Sequence, residues 1–378
     1  MSSNIKKVVF VSAGLSWLTP WWLVGPIFSL ILPIFGPLTK SKRDRFVLVT
    51  LYFLSASVGL VPGAGVFFGH GATSYILGLA LWLGSSLILA APWMLADTEK
   101  PWTIIVALVI DAVPPIGLFG WVSPIAAAGI LFPGSGVIGI MLFFAGIVSL
   151  HWYLNDAGSR TYQAILIASL VLNISTSLNK NITPLHFSAV DTHLGPQPEN
   201  PVEVISRNGS VIAAARADKT KIVVLPETVA TWLPGTAAQY AASVPTGQEW
   251  LVGATTRKNG LLWDSVVEVR HGKPSRTIFS AAFPVPVSML HPWKSGGYGA
   301  TWSEPVKTID GVKVASVICY DQLLVWPWLE VMAGNTQLVI TTRNDWWARG
   351  TGIPRIQRNT SIAFSRLIGA RDITATNW

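Results

Sequence analysis

The spacing of hydrophobic residues changes character near residue 178. Before it, apolar residues run almost unbroken over 8–20, 21–38, 46–68, 73–96, 101–120, 123–150 and 161–178. Most of these runs approach the roughly 17–25 residues that a helix needs to cross a bilayer. They predict an N-terminal transmembrane α-helical bundle of about seven spans over 1–178, the first two being short, tilted helices split near Pro20. Prolines inside the runs (Pro26, Pro33, Pro62, Pro114, Pro115, Pro133) are tolerated where neighbouring helices satisfy the freed backbone groups. After residue 178 the apolar runs are short, rich in β-branched residues and punctuated by turn signals. Strands are predicted at 201–206, over Lys221–Thr228 with a carboxylate at its end, at 250–255, over Leu261–Val269 behind the hairpin turn Lys258-Asn259-Gly260, at Lys313–Cys319 and at 337–342. Helices are predicted at 208–218, 322–334 and 354–369. Alternating strands and helices describe a layered α/β domain over 179–378.

Charge sharpens this division. Only 12% of the 378 residues are charged, against about 25% in soluble domains, and the mean hydropathy is +0.47. Residues 1–178 hold 8 Lys+Arg and 5 Asp+Glu, whereas 179–378 hold 19 and 14. Within the first half, Lys6/Lys7, the cluster Lys40–Arg45, Lys100 and Arg160 fall at alternate ends of the predicted spans. By the positive-inside rule this places the N-terminus in the cytoplasm and, after seven spans, the second domain outside it. The net charge of +8 is scattered rather than gathered into a stripe, which argues against direct nucleic-acid binding. One cysteine excludes an internal disulfide framework, and six histidines without paired ligand spacing give no metal site. No cofactor is implied.

Two features of the first half carry two readings each, and a third carries one. Gly134-Ser-Gly-Val-Ile-Gly139 matches a dinucleotide-binding pattern, but it lies in an apolar run without a βαβ unit, so close helix packing is the better account. Asp111 lies within a span, where it serves either function or a bond to a neighbouring helix. Trp17, Trp21, Trp22, Trp93, Trp102, Trp121 and Trp152 stand near span ends, as interfacial anchors do.

The candidate chemistry is in the second half. The buried run Val314–Ile318 stops at Cys319, the chain's single cysteine, and Tyr320-Asp321-Gln322 follows. A lone cysteine is either a small buried hydrophobe or a nucleophile, and a nucleophile needs a base or a lowered pKa. Glu227 closes another strand in Leu225-Pro-Glu-Thr228, and Asn344-Asp345-Trp346-Trp347 closes a third. A glutamate at a buried strand end is suited to take a thiol proton and return it to a leaving amine. The group Trp293, Trp302, Trp326, Trp328, Trp346 and Trp347 either fills core space or lines an apolar groove.

With these motifs together, the second half resembles the carbon–nitrogen hydrolase (nitrilase) superfamily, with a PE[ST] glutamate and a cysteine in an [IV]CY[ED] setting. Its arrangement behind a helical bundle looks like apolipoprotein N-acyltransferase, as does the segment Asn344–Trp347, Gly352-Ile-Pro354, Arg358, Ala363, Arg366 and Thr376-Asn377. Chain size and Phe283-Pro-Val-Pro-Val-Ser-Met289 are similar to a conjugal transfer protein of transmissible plasmids. The resemblance implies a nitrilase-like αββα sandwich on the periplasmic side of the inner membrane. It further implies amide-forming or amide-cleaving acyl transfer through a thioester on Cys319, with Glu227 as base. Tyr320, Asn344, Asp345 and Trp346 become substrate-binding candidates. The implied partners are membrane lipid, a lipid acyl donor and a protein acceptor in the transfer or pilus apparatus. The family lysine belongs before Pro284, yet Arg276–Pro284 contains none; Lys294 and Arg276 are the candidate cations in its place. The alternative is a nitrilase-fold scaffold that has lost catalysis and binds a partner or lipid.

Overall fold

The computed structural model describes residues 2–155, 160–178, 186–198, 200–291 and 296–378. The chain forms two compact units that are not contiguous in sequence. The first joins Met1–Lys180 to Leu323–Ala333 and Ala348–Ala370; the second joins Asn181–Gln322 to Gly334–Trp347 and Arg371–Trp378.

The first unit is helical. Its helices are α1 (Ser3–Leu15), α2 (Val24–Phe28), α3 (Ile31–Phe35), α4 (Lys42–Ala56), α5 (Leu60–Phe67), α6 (Ala72–Ala90), α7 (Trp102–Ala112), α8 (Ala127–Leu131), α9 (Val137–Leu154) and α10 (Thr161–Leu178). Fewer of the seven expected runs reach spanning length. Among the described residues Ala72–Leu95 and Val137–Leu154 do, and the pair α4–α5, bent by 45°, makes a third if counted as one span. The shortfall lies at glycine and proline. The α-helix in the run 101–120 ends at Ala112, ahead of Pro114-Pro115, and 123–150 is interrupted between Leu131 and Val137 by Pro133, Gly134 and Gly136.

That interruption explains the glycine motif. Gly134 and Gly136 have positive φ (+72° and +56°), and their amides donate to Arg366 O and Leu367 O, both at 2.8 Å. The turn therefore caps the last carbonyls of a late helix, Ile353–Ile368, instead of holding a phosphate. The same late helix lies so close to α8 that a Cβ on Gly129 would meet Ala363 O at 1.8 Å, the close approach that small residues permit. The expected interfacial tryptophans divide. Trp21, Trp102 and Trp152 are exposed, but Trp17, Trp93 and Trp121 are buried. Trp17 Nε1 donates to Tyr52 Oη (2.8 Å), which donates to Val122 O (2.7 Å), and Trp93 Nε1 donates to Asp111 Oδ2 (2.7 Å). These indoles are polar ties inside the bundle, and Asp111 accepts one of them.

The second unit holds two sheets. In the first, β1 (Phe187–Ala189), β2 (Ile222–Val224) and β4 (Glu249–Lys258) run parallel, β5 (Leu261–Arg270) and β6 (Arg276–Ser280) continue antiparallel, and the two-residue β3 (Ala230–Thr231) also pairs with β4. In the second, β10 (Arg371–Asn377), β9 (Leu338–Asn344) and β8 (Val312–Ile318) are parallel and β7 (Lys307–Ile309) closes the edge antiparallel. Ile222, Val224, Leu251 and Val266 from the first sheet share a core with Val314, Ile318, Leu338 and Ile340 from the second, so the sheets stack face to face. The outer face of the first sheet is covered by α11 (Pro201–Ala217) and α12 (Pro234–Ser243) through Val211, Ala215, Tyr240, Val223 and Trp250. The helices α13 (Val325–Ala333) and α14 (Ile353–Ile368), which follow β8 and β9 in sequence, cluster with the first unit.

Most predicted strands stand, including the hairpin at Asn259-Gly260, where both residues have positive φ as a tight two-residue turn requires. The predicted strand 201–206 is instead the start of α11. Pro201 occupies the first turn, the Asn200 side chain caps Val202 N at 2.9 Å, and Glu203 sits at the positive end of the helix. Those signals outweigh the β-branched Val202 and Ile205, which lie exposed on the helix surface.

Candidate active site

Glu227 owes its position to an arch in the backbone. Leu225 N donates to Leu251 O (2.8 Å) and Val229 N to Gly253 O (3.0 Å), so Pro226, Glu227 and Thr228 bridge a gap that β4 spans with a single residue. The extra length bulges toward β4 and turns the Glu227 side chain inward. The arch presses on Gly253, where a Cβ would lie 2.0 Å from Pro226 O and 2.7 Å from Glu227 Cα. Thr228, at φ +45°, stores strain that its neighbours hold in place. Gln197 Nε2 donates to Thr228 O (2.6 Å), Asn344 Nδ2 to Thr228 Oγ1 (2.6 Å) and Arg207 Nε to Val229 O (3.2 Å). Gly253→Ala is expected to destabilise the protein by about 1–3 kcal/mol through overpacking and to displace Glu227. Thermal unfolding of the full chain in detergent reads the first effect, and thiol reactivity of Cys319 the second.

Cys319 stands where β8 gives way to the 3₁₀ turn Cys319–Leu323, and it too has positive φ, +46°. Gln322 fixes that turn by donating to Val317 O (3.1 Å) and Thr342 O (3.0 Å), which ties the C-terminal ends of β8 and β9. Asp321 accepts from Ala282 N and Phe283 N, both at 2.8 Å, and so docks the segment after β6 beside the cysteine. The Cys319 thiol and the Asn344 backbone N–H both donate to the Glu227 carboxyl. Nucleophile and base candidates are therefore in contact, at the ends of strands from two different sheets.

The electrostatics of the site are those of buried acids. Burial pushes Glu227 up to about 7, with Asp345 adding to the rise; the bond from Asp264 opposes it most, then the thiol and the Asn344 N–H. Burial likewise raises Asp264 well above the usual carboxylate range, with the Glu227 charge in support. Asp345 is raised to about 6 by burial, against the pull of Arg343. The Cys319 thiol is pushed up, first by burial and then by Glu227, Asp264 and Asp345. A thiol held this way stays protonated until a base takes its proton in the act of reaction.

The other predicted site residues fall as follows. Asn344 acts as a brace: beyond its bond to Thr228, its Oδ1 accepts from Asn377 Nδ2 (2.8 Å) at the end of β10. Asp345 is buried, its backbone N–H donating to Asn377 O (2.8 Å) and its carboxylate 3.7 Å from Arg343 Nε. Tyr320 is buried and Trp346 half-buried. Arg276 is a correction: its largely exposed side chain is paired with Glu268 on the edge strand β6, where a carboxylate of the neighbouring strand holds it. Lys294 and Trp293 lie outside the described residues. Asp264, Gly253 and Gln322 escaped the sequence reading. Asp264 carried a usable signal, an acid within a largely apolar strand run.

No family model matches the chain. It is 30% identical over 355 residues to the probable conjugal transfer protein TraB of Sinorhizobium fredii NGR234, covering 90% of this chain and 89% of that protein. It is 29% identical over 383 aligned positions to the conjugal transfer protein TraB of Agrobacterium fabrum C58, covering 92% and 87%. Among solved structures it is similar to a carbon–nitrogen hydrolase from Helicobacter pylori G27, with TM-score 0.38 and 14% identity over 50% of this chain and 72% of that one. It is also similar to an amidase from Nesterenkonia sp. AN1 in complex with butyramide, with TM-score 0.36 and 13% identity over 50% and 76%.

Proposed function

The chain belongs to the TraB family of conjugal transfer proteins, and from that premise we propose that it is a membrane-anchored acyltransferase or amidase of plasmid conjugation. The observation that carries the reading is the contact between the Cys319 thiol and the Glu227 carboxyl. Glu227 takes the thiol proton as Cys319 attacks an acyl carbonyl, then gives it to the leaving group, so that a thioester forms on Cys319. An amine acceptor resolves that thioester to an amide, or water resolves it to an acid. Strain at Cys319 and Thr228 supports the reading, since backbone in this region persists where surrounding structure holds it for use. Lys294 is the proposed cation for the oxyanion.

The apolar helices Ala72–Leu95 and Val137–Leu154 support anchoring as a multi-pass protein of the inner membrane. Lys6, Lys7 and the basic run Lys40–Arg45 support a cytoplasmic N-terminus, with the acylating unit facing the periplasm. The acyl donor in this setting is a membrane lipid, and the acceptor an amine of the transfer or pilus apparatus.

The test is intact-protein mass spectrometry of the full chain in detergent, wild type beside Cys319→Ala, after incubation with bacterial phospholipids and an acid quench. An acyl mass increment on wild type alone is expected. No adduct, together with full conjugative transfer by Cys319→Ala in cells, would leave the fold as a binding scaffold.

A further inference from the structure

Asp264 is a buried acid for which the mechanism above has no use. It lies on β5 opposite Thr255 of β4 and is 3% exposed, beside Glu227, which is 4% exposed. The two carboxyls bond to each other directly. The Cys319 thiol and the Asn344 N–H reach Glu227, and the Ser265 N–H reaches Asp264. Glu227 Oε2 and Asp264 Oδ1 are left without a donor among the described residues. Two ionised carboxylates cannot share a dry site with one oxygen of each unsatisfied; a proton on Asp264, donated to Glu227, removes the repulsion and supplies a donor that two carboxylates lack.

We propose that Asp264 and Glu227 hold one proton between them, and that Asp264 is the positioning residue that keeps Glu227 a proton carrier for Cys319. This rests on the roles of Cys319 and Glu227 given above and deepens them. At rest the pair carries one proton and one negative charge. When the thiol reacts, its proton passes to the pair, which becomes neutral with two protons as the C–S bond forms. One proton then leaves the pair for the departing oxygen or nitrogen as that bond to the acyl carbon breaks, and the pair returns to its resting charge. The attacking thiolate thus faces a neutral pair instead of two carboxylates. The other titratable groups that act on the pair are Cys319, Asp345, Asp321 and Tyr298, whose hydroxyl lies 3.4 Å from Thr255 Oγ1.

Because Cys319 is the chain's single cysteine, alkylation by iodoacetamide reads its proton transfer without any acyl donor. The full chain in detergent is alkylated across a pH range that brackets 7, the value to which Glu227 is raised, and followed by intact mass. Wild type is expected to show an inflection near that pH, and Glu227→Gln to lose it. Asp264 lowers Glu227 by donating to it, so Asp264→Ala, which removes the donor, moves the inflection above 7. Alkylation at neutral pH then becomes slower, by on the order of tenfold for each pH unit that the inflection moves, and Asp264→Asn, whose amide donates in the proton's place, keeps it near 7. A merely structural Asp264 would lower yield and rate without moving the inflection. An unmoved inflection in Asp264→Ala overturns the proposal, as does a wild-type profile with no inflection near 7. Should Asp264→Ala fail to fold, Asp264→Val and the wild-type comparison with Glu227→Gln decide it. An inflection that behaves as expected in a protein that forms no acyl adduct sinks the acyl-transfer reading and keeps the pair.

Discussion

Glu227→Gln is expected to slow thioester formation on Cys319 by on the order of 10²–10⁴, the usual worth of a positioned base. The reason is specific to this site. Burial, then Glu227, Asp264 and Asp345, push the Cys319 thiol up, so the fraction of free thiolate at neutral pH is small. The reaction depends on a base in contact with the sulfur, and glutamine keeps the shape of Glu227 while losing the ability to accept the proton. Cys319→Ala removes the nucleophile, and adduct formation falls to nothing. The double variant is the sharper experiment. Residues that act as one unit are grossly non-additive, so Cys319→Ala/Glu227→Gln should transfer plasmid no worse than Cys319→Ala alone. Conjugation frequency in cells measures this. Equal and full transfer by all three variants would end the catalytic reading; additive losses would show that Glu227 serves the fold and not the chemistry.

The parts of this site visible in the sequence are those marked by an abrupt change along the chain. The runs ending at Glu227, Cys319 and Asn344 each switch from buried β-branched residues to polar ones, and the structure places all three at strand ends within one unit. What the sequence concealed depends on contacts distant along the chain. Gly253 is an unremarkable strand glycine until Pro226 and Glu227 arch over it. Asn344 reads as a substrate contact, yet it braces Thr228, 116 residues away. Arg276 looked like a spare cation for the cysteine, and its own strand gives it to Glu268 across the β5–β6 ladder. In the first unit, hydropathy located apolar runs but not their breaks. A run such as 123–150 stays apolar throughout, while Pro133 and two glycines in positive φ divide it so that a later helix can be capped. The start of α11 failed for the opposite reason: local β propensity there was clear, and capping groups at Asn200 and Pro201 outweighed it.

The protein is expected to unfold at a higher temperature at about pH 5 than at about pH 8, against the usual behaviour of proteins whose carboxylates are salt-bridged. Raised acids of the second unit set the sign, Asp264 and Glu249 among them, with four more beside these. Burial raises Glu227 and Asp321 to about 7, and Asp345 and Asp372 to about 6. In the unfolded chain each loses its proton near 4, as ordinary carboxyls do. Between about pH 4 and 7 the folded state therefore holds more protons than the unfolded state, and linkage makes stability fall as pH rises through that window. Glu268 works the other way: despite its burial, the bond from Arg276 holds it low, but that pair sits at a solvent-facing edge where screening weakens it. Each pH unit by which a folded carboxyl lies above its unfolded value is worth about 1.4 kcal/mol, so even partial expression by the four acids amounts to a few kcal/mol. Thermal unfolding of the full chain in detergent, followed by tryptophan fluorescence at several pH values, measures the slope. Asp321→Asn should flatten it by removing one titrating group, and should lower stability at about pH 5, where the native carboxyl still accepts from Ala282 and Phe283. A melting temperature that climbs from about pH 5 to about pH 8 would show that these acids are ionised in the folded protein. The neutral, proton-holding cluster around Cys319 would then be wrong at its root.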